Sequence, residues 1–159
     1  MEQRGDEFRA LKILHFALLG GMTLAVIIMF VLRYTITLNQ KFDIATEKIF
    51  QVIAVLLSLG GLLLGFNRFR SKVAALRQSL EPAAQRMAAY RTACIAWWAL
   101  LEMPGLFGGI CFFLTGNYAF FALALFQMSL LAVFMPRKEN IIMLLNLNSD
   151  EVAKLEGKS

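Results

Sequence analysis

Glu102 is the only Asp, Glu, Lys or Arg inside four long apolar stretches of this chain. By helical rise it stands about 14 Å into roughly 30 Å of hydrocarbon. An acid at that depth costs about 2.5–3.5 kcal/mol on insertion scales, so its side chain must face other helices or a cavity. Burial also disfavours the charged form of a carboxyl. The midpoints of the other three stretches carry Thr23, Ser58 and Gln127, which places one polar side chain per helix at a common depth. Such a layer can tie helices together at about 0.6–2 kcal/mol per hydrogen bond. A carboxyl within it can instead exchange a proton or hold a cation.

Two residues on, Pro104 lacks an amide donor and frees the carbonyl of Leu100, so the helix can kink beside the acid. Gly61-x-x-x-Gly65 and Gly105-x-x-x-Gly109 form small-residue faces of the kind that let membrane helices approach closely. Helical spacing puts Glu102, Gly105 and Gly109 on one face. His15 enters at the head of the first stretch, about 7.5 Å from the depth of Glu102, and is expected at the interface. Trp97, Trp98, Phe107, Phe112, Phe113, Phe120 and Phe121 read as lipid-facing or packing residues.

These residues require membrane helices to position them, and the composition supplies them. The chain has 159 residues, of which 58% are hydrophobic and 17% charged. Its mean hydropathy is +0.63. A soluble domain is nearer 45–50% apolar and about 25% charged. The apolar residues fall into stretches at 13–32, 49–66, 93–114 and 118–135, each near the length that crosses a bilayer. The expected fold is therefore all-α: a four-helix transmembrane domain over 1–135, with a polar loop at 67–92, then an amphipathic tail at 136–159. The turn Thr115–Gly116–Asn117 makes the last two spans a tight antiparallel hairpin.

Within the loop, Val73, Leu76, Leu80, Ala83, Ala84 and Met87 recur at helical spacing around Pro82. The second and third helices should therefore extend beyond the membrane and meet at that proline. In the tail, Ile141, Ile142, Leu144 and Leu145 predict either a continuation of the fourth helix or a short interfacial one. Ser149, Asp150, Glu151 and Gly157 predict a last small helix with Ser149 as its N-cap.

Basic residues fix the expected orientation. Arg4, Arg9 and Lys12 precede the first span, Arg68, Arg70, Lys72, Arg77, Arg86 and Arg91 fill the loop, and Arg137, Lys138, Lys154 and Lys158 lie in the tail. Only Arg33, Lys41 and Lys48 fall on the other side. Both termini and the loop are thus expected in the cytoplasm, with the chain in the cell inner membrane. The net charge of +5 is concentrated in the loop and suits anionic lipid, not nucleic acid.

Sliding the sequence by 82 residues aligns the first span on the third, with Ile13/Ile95, Leu19/Leu101 and Phe30/Phe112 among the identities, while a shift of 69 aligns the second on the fourth. Two repeated hairpins inserted the same way up are expected.

The segment Trp97–Gly108 resembles the carboxylate helix of rotary ATPase membrane proteolipids. That resemblance implies a hairpin protein in which Glu102 carries a proton or cation. This chain departs from the family in lacking its repeated glycine face in the first two helices, in its 14 phenylalanines and in its long basic loop. Leu100–Asn117 also resembles small four-span bacterial membrane proteins of no assigned activity.

No paired carboxylates, Ser/His/Asp set, phosphate-binding glycine loop or metal-ligand spacing occurs, so neither an enzyme, a metal site nor a cofactor is expected. Cys94 and Cys111 lie about 25 Å apart on one helix and read as packing residues. The expectation is a non-enzymatic membrane protein that self-associates or joins other subunits through its glycine faces and a polar layer around Glu102. Proton or cation carriage by Glu102 is the alternative. A sensor or assembly role for the basic loop is the third.

Overall fold

The computed structural model describes residues 6–36 and 42–157, and within them every regular element is an α-helix. Arg4, Lys41 and Lys158, used above for orientation, lie outside the described residues. The three long helices are α1 (Glu7–Thr35), α2 (Ile44–Gln78) and α3 (Ala83–Thr115), and each is long and apolar enough to cross a membrane. Next come α4 (Tyr118–Val133), α5 (Lys138–Leu145) and α6 (Ser149–Leu155). α4 and α5 pass the same test only when taken together, as a broken span or a re-entrant loop bent by 70°.

The helices outrun the apolar stretches because polar residues continue them. Asp6 caps α1 by accepting from the Phe8 and Arg9 amides, and Asp43 caps α2 by accepting from Thr46. α2 and α3 extend across most of the expected loop and break only at 79–82, with Pro82 at the N-cap of α3 as its missing amide favours. Gly116 ends α3 at φ +73°, and the Arg33 guanidinium lies over it where a Cβ would stand. A side chain there would be doubly excluded. α4 is shorter than the stretch 118–135, ending at Val133 ahead of Pro136. The cap of α6 is Asn148 and not Ser149: its side chain accepts from the Glu151 amide while Glu151 reaches back to the Asn148 amide.

α3 is the central element. It packs against α1, α2 and α4, whereas α1 and α2 share no extended interface. α1 and α3 lie level side by side, with Glu7 paired to Arg91, His15 against Trp98, and Phe30 stacked on Phe112. At the far end Tyr34 hydrogen-bonds Tyr118 and Asn117 donates to Glu47, closing the turn between α3 and α4 onto α1 and α2.

The tail neither continues α4 nor stands apart. Ile141, Leu145, Leu147 and Leu155 are buried in one cluster with Val73, Leu76, Met87 and Tyr90 from the extensions of α2 and α3. A packed cap therefore sits on one end of the membrane helices.

Candidate functional site: Glu102 and the faces of α3

The buried residues of α3 recur every three or four positions, through Trp97, Leu101, Pro104, Gly108 and Cys111. That face receives α2 and α4. The opposite side, including Ile95, Ala99, Met103 and Ile110, is exposed. Glu102 lies at the margin of this uncovered face, partly exposed, and makes no hydrogen bond or ion pair among the described residues.

Of the four residues expected in a polar layer, only Ser58 and Gln127 bond to each other. Gln127 Nε2 donates to Ser58 Oγ in a buried bond that joins α4 to α2. Thr23 donates to its own Leu19 carbonyl at 2.7 Å and approaches Met128 Sδ at 3.2 Å. The reason is angular. At 100° per residue, Glu102 points about a third of a turn from the Leu101–Gly108 face that α2 and α4 approach. Gln127 Oε1 is left without a partner among the described residues.

The glycine faces expected to join copies are instead occupied within the chain. A Cβ at Gly61 would stand 2.6 Å from the Leu100 carbonyl oxygen, and one at Gly65 2.6 Å from the Trp97 ring. At Gly105 and Gly109 it would meet Met22 Cε at 2.0 Å and Met29 Sδ at 2.7 Å. α2 and α1 thus seat against α3 through these residues, and Pro104 is buried beside Gly61. Free surfaces for association lie elsewhere.

The basic loop residues divide. Arg68, Arg70, Lys72 and Arg77 are exposed along α2, whereas Arg91 pairs with Glu7 at 3.2 Å. Arg86 does not belong to a solvated face at all. It is buried, donating from Nη1 to the Leu145 carbonyl at 2.7 Å and from Nη2 to Glu151. The Asn148 amide, and after it the Arg86 guanidinium, hold the Glu151 carboxyl below the ordinary carboxylate range. A carboxyl depressed in the folded state adds stability above its unfolded pKa and loses it as pH falls through the folded value. Protection of the α6 amides, corrected for intrinsic exchange, is therefore expected to be constant from neutral pH downward and to fall only below about pH 4. A constant exchange-corrected protection at lower pH would overturn that assignment.

Two further features, the burial of His15 and of Arg86, escaped the sequence. His15, expected at the interface, is fully buried with its ring edge-on to Trp98 at 4.6 Å, and neither nitrogen has a hydrogen-bond partner among the described residues. Arg86 is internal. The coincidence of His15 and Trp98 at a separation close to the 82-residue repeat was the available signal for His15. Both tryptophans are buried, as packing residues. Cys94 and Cys111 are buried and free, and no group of three or more potential metal ligands occurs among the described residues.

No family model, curated protein or solved structure matches the chain. Its functional reading therefore rests on its own residues.

Proposed function

We propose that this chain is a non-enzymatic subunit of a membrane complex, in which α3 docks a membrane helix of a partner across Glu102. Its spans form two hairpins inserted the same way up in the inner membrane, with both termini cytoplasmic. The reading is carried by Glu102: an acid partly exposed at the margin of the uncovered side of the central helix, with no partner among the described residues. A carboxyl facing hydrocarbon is unstable there, and a hydrogen-bond donor or cation from an adjoining helix satisfies it.

Photocrosslinking from Met103 and Ile110, on the exposed side of α3 that Glu102 borders, should capture one defined polypeptide in native membranes, whereas Leu63 and Leu64 on α2 should capture lipid. Glu102→Gln should retain that crosslink, and Glu102→Leu should weaken it about 3- to 30-fold, the range for one intramembrane hydrogen bond. Indiscriminate crosslinking from both helices would sink the docking reading.

The same exposure favours a second reading, proton or cation carriage by Glu102. It predicts that Glu102→Gln abolishes ion flux in reconstituted vesicles while leaving every crosslink intact. A closed ring of many copies in native mass spectrometry would support it.

A further inference from the structure

Where α4 ends and the chain bends into α5, a cleft of about 240 Å³ opens beside α3. One wall is aromatic, made by Phe69, Trp97, Trp98 and Phe134; the rim carries Arg137 and Asn140. Trp97 is 2% exposed, yet its Nε1 has no hydrogen-bond partner among the described residues. An unpaired buried indole N–H is unfavourable, and an oxygen acceptor would relieve it. Arg137 and Asn140 are exposed, and Arg137 forms no ion pair among the described residues. Exposed Arg68 and Arg70 flank Phe69 on α2, adding positive charge at the same level.

The position decides what fits. Trp97 lies about 21 Å into α3 from Ala83, close to where the apolar stretch begins, so the cleft straddles the membrane boundary. Its lining thus pairs aromatic rings with the cationic Arg137 near the level at which the apolar stretch begins. A volume below the roughly 300–1,000 Å³ of sites that enclose a whole small molecule suits part of an amphiphile whose remainder stays in the bilayer. We propose that the cleft binds an anionic phospholipid from the adjoining leaflet, with its phosphate on Arg137 and Asn140, its glycerol ester region at Trp97 Nε1 and the upper acyl chain along the aromatic wall. The site is independent of Glu102.

The chain's two tryptophans both line the cleft, so its intrinsic fluorescence reads occupancy directly. In nanodiscs of phosphatidylcholine doped with brominated phosphatidylglycerol, quenching should exceed that by brominated phosphatidylcholine at equal mole fraction. Arg137→Gln, at an exposed side chain, should reduce the apparent affinity for phosphatidylglycerol about fivefold, the factor for one basic residue at a lipid surface. Native mass spectrometry should show one retained phosphatidylglycerol on the wild-type chain and fewer on Arg137→Gln and Trp97→Phe. Equal quenching by both brominated lipids would overturn the proposal. So would displacement of the lipid by millimolar inorganic phosphate, which would make the rim a site for a free anion.

Discussion

Replacing Arg86 with methionine is expected to release α5 and α6 from the extensions of α2 and α3 at a cost of about 3 kcal/mol. The Arg86 side chain is 8% exposed and that of Glu151 24%. Removal of the guanidinium strands two acceptors, the Leu145 carbonyl and the Glu151 carboxylate. Truncating one partner of a buried ion pair costs about 3–5 kcal/mol, and the partial exposure of Glu151 places this pair at the low end. Amide exchange across Ile141–Leu155 should accelerate by about two orders of magnitude, with α3 and α4 unchanged. Because the loss comes mainly from the stranded carboxylate, Arg86→Met with Glu151→Met should recover part of it. Exchange in Arg86→Met that matches the wild-type chain would show that the tail is held by its apolar contacts alone.

The second large effect lies at the seat of α2 on α3. Gly61→Ala places a Cβ 2.6 Å from the Leu100 carbonyl oxygen, a backbone atom held in its helix. α2 must then shift as a unit, and overpacking of this kind costs about 1–3 kcal/mol. The upper end is expected, since the same movement separates Gly65 from Trp97 and strains the bond between Ser58 and Gln127. Gly60 is an internal control. A Cβ there meets nothing within 4 Å, so Gly60→Ala should be neutral or stabilise by up to about 1 kcal/mol through helix propensity. Thermal unfolding in one detergent compares the two substitutions directly. Equal effects would mean that α2 does not rest on α3 through Gly61.

Helix existence was readable because hydrophobic length and proline or glycine punctuation act locally. Pro82, Gly116 and Pro136 each stand at or beside a break in the structure. Helix extent was less readable, since hydropathy marks where a helix meets lipid and not where its backbone hydrogen bonds end. Burial of polar groups was least readable. His15 and Arg86 score as surface residues by type, and only the arrival of Trp98 on one and the tail on the other encloses them. The tail's docking had left a trace in the apolar positions of Val73, Leu76, Met87, Ile141 and Leu145, which recur at helical spacing in segments otherwise too polar for lipid. Glu102 was identifiable by type, but its direction depends on which side of α3 its neighbours choose, a property of packing.

The shortness of α4 has a consequence for the surrounding bilayer. Its 16 residues rise about 24 Å, roughly 6 Å less than a typical hydrocarbon layer, while α1, α2 and α3 are all longer than that layer. If α4 crosses the layer without α5, the lipids on its flank compress or tilt to match it, at a fraction of a kcal/mol per ångström. With α4 taken as a span, shorter-chain lipids are expected on its side of the bundle.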